Sequence, residues 1–264
     1  MMDLLLASLL TLVPAQQSAS LLVDFNRHDD GIYTTTMLKK DWLRRRWSSL
    51  YNRASIVSGS GGIDGKRLRV FYPAGGYKPK FSGGQFQVKI KPYRDEYYLD
   101  YYVKFNAGFD FGKGGKLPGL AGGRRNTGND RATGDGWSIR YMWNRSRKVS
   151  LYIYHMDQRK NHGDNWYLRG RKFKVGRWHR LTQRVKLNTN NEADGILEVW
   201  LDGKKLLSRS NVRFRANGQA AISTFYFSTF HGGSKPSWAP KKDSYAEFDL
   251  FRLADTYEEI FGRD

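Results

Sequence analysis

The chain predicts an all-β fold, an antiparallel β-sandwich of jelly-roll type, and three observations carry that expectation. Short runs rich in Val, Ile, Thr, Tyr, Phe and Trp recur along its 264 residues, a composition suited to a pleated, half-buried surface. The 28 glycines fall between those runs and read as turns. Apolar residues do not recur at helical spacing over any long stretch, except near the carboxyl end. Many strands in one domain without helical crossovers leave two packed antiparallel sheets as the expected architecture.

Taken in order, residues 1–19 contain the apolar run 4–13 followed by small and polar residues. The run is too short to span a bilayer and reads as a cleaved signal peptide, so the protein is expected to be secreted. Residues 20–264 read as a single domain. The basic stretch 39–47 fits a short helix or a loop with a solvated face. Strands are expected at 67–72, 84–90, 96–105, 137–143, 149–155, 178–186, 195–201, 222–230 and 245–253. Asp202-Gly203 marks a tight hairpin before Lys204. The runs 137–143 and 149–155 alternate strictly, and strand side chains alternate faces. A turn centred near Ser146 sets Arg140 opposite Tyr152 and Ser138 opposite Tyr154.

Charge and missing motifs narrow the chemistry. The formal net charge is +20, from 45 Lys and Arg against 25 Asp and Glu, and such a surface attracts polyanions. Cysteine is absent, which excludes disulfides and thiolate metal sites. The sequence has no zinc signature, no nucleotide-binding glycine loop and no Gly-x-Ser-x-Gly elbow, and calls for no metal and no cofactor. Its acids, including Asp110, Asp130, Asp135 and Asp202, cluster at turns, which disfavours the paired carboxylates of a glycoside hydrolase.

β-Elimination on a polyuronate needs other groups. The C5 proton becomes acidic once the neighbouring carboxylate is neutralised, and cations that stabilise the developing enediolate lower the barrier most. A base then takes the proton, and an acid protonates the O4 leaving group. Tyrosine, with an ordinary pKa near 10, becomes a usable base when cations lower that value. Lys116 and Arg140 are therefore read as carboxylate neutralisers, Tyr152 or Tyr154 as base and acid, and Ser138 as a hydrogen bond that positions the sugar.

These residues and their surroundings resemble polysaccharide lyase family 14. The resemblance runs through Tyr101-Tyr102-Val103-Lys104-Phe105, the glycine-rich 109–123 with Lys116, Ser138-x-Arg140, Tyr152-x-Tyr154, 227–234 and 236–240. Members include alginate lyases of marine molluscs and a polyglucuronate-cleaving lyase of algal viruses, and glucuronan lyases of family 20 are similar. The resemblance implies a cleft on a concave sheet holding Lys116, Ser138, Arg140, Tyr152 and Tyr154. The basic segment before Tyr51 and the loop 124–131 have no counterpart in it. Sequence and analogy together add His231 and Lys235, flanking a glycine pair after a strand, and Gln87, as sugar-binding residues.

The expected partner is an anionic polysaccharide, either alginate, particularly its mannuronate blocks, or β-1,4-glucuronan. Nucleic acid and membrane are not expected partners, and a monomer is expected. The high isoelectric point suggests an alkaline optimum. The rival reading is a non-catalytic jelly-roll lectin using the same cationic face.

Overall fold

A computed structural model describes residues 21–42 and 44–262. The leader expected at 1–19 lies outside them. The strands in chain order begin with β1 (Leu21–Val23), β2 (Gly31–Ile32), β3 (Arg45–Ser49), β4 (Ala54–Val57), β5 (Arg67–Tyr72), β6 (Gly84–Arg94), β7 (Glu96–Phe105) and β8 (Gly114–Gly123). They continue with β9 (Gly136–Asn144), β10 (Lys148–Tyr154), β11 (Asp164–Lys172), β12 (Trp178–Lys186), β13 (Gly195–Leu201), β14 (Lys204–Val212), β15 (Ile222–His231) and β16 (Ser244–Ala254). Short helices cover Thr35–Trp42, Lys78–Phe81 and Tyr257–Phe261.

One sheet runs β14-β13-β12-β7-β16-β5-β4-β2, with β1 added beside β16, and the other runs β11-β10-β9-β8-β15-β6-β3. Every pairing is antiparallel, and distant strands become neighbours, as where β8 lies between β9 and β15. This is the expected β-sandwich of jelly-roll type. The expected strands 67–72, 96–105, 178–186 and 195–201 have the observed limits. At the hairpin between β13 and β14, Asp202 and Gly203 take φ 52° and 75°, the paired positive values of a two-residue turn that matches strand twist.

The core lies between the sheets and is built by alternation. Trp137, Ile139, Tyr141 and Trp143 of β9, and Val149, Leu151 and Ile153 of β10, point inward and are fully buried. Trp143 meets Tyr72, Phe105 and Phe109 edge-on, and its indole N–H donates to the Phe111 carbonyl at 3.0 Å. Trp143→Ala is expected to cost about 3–5 kcal/mol, the usual penalty for emptying a buried aromatic site. Chemical denaturation measures this, and a loss below about 1 kcal/mol would contradict the packing described.

The two outer faces differ in charge. On the nine-stranded sheet, buried acids are matched by cations: Asp100 with Arg180 and Arg252, Glu198 with Arg184 and Lys205, Glu247 with Arg67, Arg69 and Lys104. The seven-stranded sheet carries a buried Arg140 that no acid pairs with among the described residues.

Candidate active site

With the odd-numbered side chains of β9 and β10 committed to the core, Ser138, Arg140, Met142, Tyr152 and Tyr154 face outward from the seven-stranded sheet. The observed register pairs Arg140 with Tyr152 and Ser138 with Tyr154, as the hairpin reading expected. On the other side of β9, β8 sets Gly119 beside Arg140 and Lys116 beside Met142. Tyr226 pairs with Gly119, Gln87 with Tyr226, and Trp47 with Gln87. One line therefore crosses the strands through Trp47, Gln87, Tyr226, Gly119, Arg140 and Tyr152, at about 4.8 Å per strand. Gly119 forms its floor. A Cβ there would lie 1.9 Å from the Ile139 carbonyl oxygen, so any side chain would push β8 off β9.

Lys116 and Arg140 dominate the electrostatics. Lys116 Nζ sits 3.5 Å from the centroid of the Tyr152 ring and 3.6 Å from Met142 Sδ. Burial first, and then the charge of Arg140, hold it well below the usual lysine pKa. Arg140 is only 2% exposed, its guanidinium lies 5.7 Å from the Tyr152 ring and 5.2 Å from the Tyr226 ring, and its Nε and Nη2 have no hydrogen-bond partner. Among the described residues, no carboxylate pairs with either cation. Uncompensated buried charge is strongly unfavourable, so this arrangement is suited to receive an anion. Buried Gln87 Oε1, Thr224 Oγ1 and Ser228 Oγ also lack protein partners.

The two tyrosines are not equivalent. Their rings stand 5.5 Å apart and nearly perpendicular. The Tyr154 hydroxyl donates to the Gly128 carbonyl at 2.7 Å, and burial, followed by its hydrogen bond with Tyr152, raises its pKa. Tyr152 is half-buried on the open side.

Several expected binding residues are placed otherwise. His231 shares strand parity with Phe225 and Phe227, so it points into the sandwich core rather than the cleft. It stacks on Phe109, meets Tyr72 and Trp143 edge-on, and its Nε2 donates to the Asp110 carbonyl at 2.7 Å. Burial pushes its pKa down to about 4, so it is a neutral core histidine. Ser138 lies with the cluster, but it is buried and its hydroxyl donates to the Asn126 carbonyl at 2.6 Å. It anchors the loop 124–131 rather than a sugar. Lys235 is exposed on the segment after β15, with no described contact to the cluster. Gln87 does lie on the line. The sequence reading missed Tyr226 and Trp47, although alternation through β15 puts Tyr226 on the face opposite Phe225 and Phe227. Among the described residues no group of three or more His, Cys, Asp or Glu is arranged to hold a metal ion.

The family model of polysaccharide lyase 14 matches residues 62–251. The chain belongs to this family. It is a polysaccharide lyase of the class that its Lys116, Ser-x-Arg and Tyr-x-Tyr residues resemble. Among solved structures, a variant of alginate lyase Aly36B in complex with an alginate trisaccharide is 27% identical, with a TM-score of 0.79 over 90% of this lyase and 99% of that chain. A marine alginate lyase from Aplysia kurodai is 24% identical, with a TM-score of 0.78 over 91% of this chain and 100% of that one. An endo-β-1,4-glucuronan lyase from Trichoderma reesei shares the fold at 13% identity and a TM-score of 0.59, over 92% of this chain and 98% of that one. No curated protein matches by sequence.

Proposed function

We propose that this lyase is secreted and depolymerises a polyuronate by β-elimination, acting on mannuronate-rich alginate or β-1,4-glucuronan. The observation that carries the reading is the buried guanidinium of Arg140, unpartnered at Nε and Nη2 and beside an equally unpaired Lys116. Aly36B, bound to alginate trisaccharide in its variant form, supports a uronate ligand.

Arg140 takes the C5 carboxylate in its planar fork and draws off the negative charge that would otherwise oppose ionisation at C5. Lys116, whose proton affinity burial and Arg140 lower, takes the C5 proton on Nζ in its amine form. The electrons of the broken C5–H bond form the C4=C5 double bond as the C4–O4 bond breaks. The Tyr152 hydroxyl gives its proton to O4, and exchange with solvent on the open side then returns the phenolate to the phenol and Lys116 to the amine. Proton and leaving group lie on one side of the ring in mannuronate and glucuronate, which suits a donor and an acceptor stacked on one face. This division differs from the sequence expectation of a tyrosine base. The phenol of Tyr154 is raised and already donates to Gly128, whereas Lys116 is the group whose proton affinity is lowered.

Ultraviolet absorbance during incubation with polymannuronate, polyguluronate and glucuronan tests the proposal, because elimination makes a conjugated double bond that hydrolysis cannot. Absorbance is expected to rise on polymannuronate or glucuronan. Tyr152→Phe is expected to lose about 10²-fold or more in turnover with binding retained, and Tyr154→Phe less. Silence on all three polymers with salt-sensitive binding intact would instead mark a lectin.

A further inference from the structure

The two basic stretches that the proposed reaction leaves unused converge on one end of the same line. β3 forms the sheet edge beyond β6. The Trp47 ring stands edge-on to Tyr226, 6.0 Å between centroids, while Arg140 approaches the Tyr226 ring at 5.2 Å. Arg46, next in the chain to Trp47, has its Nε buried without a partner, as has Arg45. The loop 124–131 starts where β8 ends, with Arg125 at φ 60° and its Nη1 donating to the Gly123 carbonyl at 2.8 Å. After burial, the charge of Arg125 is what lowers the pKa of Arg46, and it also reaches the Tyr226 hydroxyl, so the loop lies near this end of the line. Beneath lie Gln85, whose Oε1 accepts from Tyr226 at 3.1 Å, and the unpartnered Gln87 Oε1 and Thr224 Oγ1. Arg124, in the same loop, is paired with Asp130 and Asp135. Among the described residues, Arg46 and Arg125 have no such acid.

We propose that Arg46 and Arg125 form a second carboxylate site, which binds a uronate residue further along the polysaccharide from the one held at Arg140. The inference rests on the polyuronate reading above. Each residue of a uronan carries a carboxylate, so a chain lying across the strands presents another anion beyond the one at the reacting sugar. The line from Arg140 on β9 to β3, which carries Arg46, spans four strand spacings, about 19 Å, the scale of several sugar residues. Trp47 and Tyr226 offer ring faces and edges to the sugars between, and Gln87 an acceptor to their hydroxyls. Two arginines held near each other without an acid repel, and a bound carboxylate relieves that repulsion. A neutral glycan would gain nothing from them. The site favours long chains over short ones.

A series of oligouronates of increasing length, followed by ultraviolet absorbance, tests the site. For the wild-type protein kcat/KM is expected to step up at the length that reaches the pair. Arg46→Ala and Arg125→Ala are expected to lose that step, raising KM for the polymer roughly tenfold with kcat within about twofold, as for loss of a charge-assisted contact. Arg125→Lys, which keeps the charge, should recover part of the step, and Arg131→Ala, at an exposed position of the same loop, should leave it intact. If Arg125→Ala does not fold, Arg46→Ala on the edge strand carries the same expectation. Variants that keep the wild-type length step overturn the second site. Absence of absorbance from the wild-type protein on every polyuronate overturns the polyuronate reading, and this inference with it.

Discussion

Lys116→Met is expected to abolish elimination and, at neutral pH, to raise thermal stability. Loss of a positioned base typically costs 10²–10⁴ in rate, so a fall of about 10³-fold is expected. The stability gain has a separate origin. In the unfolded chain a lysine titrates near 10.4, whereas burial and Arg140 hold folded Lys116 well below that. Between the two values the unfolded state binds more protons, so the stability of the wild-type protein rises with pH across that window. Each unit of depression corresponds to about 1.4 kcal/mol, lost in full below the folded pKa. Methionine, apolar and of similar length, fits beside Met142 and the Tyr152 ring without that cost. Its advantage in melting temperature should therefore be largest at neutral pH and shrink as pH rises toward the unfolded value. A lower melting temperature at neutral pH, or a gain that ignores pH, would contradict this account of Lys116.

Arg140→Gln is expected to lower kcat by about 10²–10³-fold, the usual effect of removing one preorganised group that stabilises developing charge, and to raise KM as well. Arg140 meets the carboxylate in the ground state, but its attraction grows as charge moves from C5 onto the carboxylate oxygens. That growth is why kcat falls and not KM alone. Steady-state kinetics on the preferred polyuronate checks it. A raised KM with kcat unchanged would make Arg140 a binding group only.

Much of the fold was legible because the hairpin of β9 and β10 alternates without interruption, and its turn length then sets Arg140 across from Tyr152. β8 was not legible as a strand. It reads Gly-Gly-Lys-Leu-Pro-Gly-Leu-Ala-Gly-Gly, a composition with little β preference, and it is extended because β9 and β15 supply ladders on both sides. β3, β11 and β14 carry the charge typical of sheet edges, which hides their alternation. In the site, Lys116, Arg140, Tyr152, Tyr154 and Gln87 share the face that alternation predicts. His231 was misplaced despite a usable signal, since its parity with Phe227 already assigns it to the core. Ser138 was on the correct face, but its partner is the carbonyl of Asn126 in a loop that doubles back, which no local pattern reveals. The depressed proton affinity of Lys116 depends on burial between strands distant in sequence, so its role as base could not be read from residue type. The meeting of Arg46 with Arg125 likewise follows only from the placement of β3 at the edge beyond β6.

The most direct test is the pH dependence of kcat/KM on one polyuronate, measured for the wild-type protein and Arg140→Gln. This ratio reports the ionisation of the free enzyme. If Lys116 must be neutral to accept the C5 proton, the wild-type rate rises with pH through a limb well below the ordinary lysine value, then levels. Removing the Arg140 charge makes the ammonium easier to hold, so in the variant that limb moves to higher pH, while burial keeps it short of the unfolded value. A rising limb at the ordinary lysine value in the wild-type protein, or one that stays in place in Arg140→Gln, would contradict the assignment of Lys116 as the base.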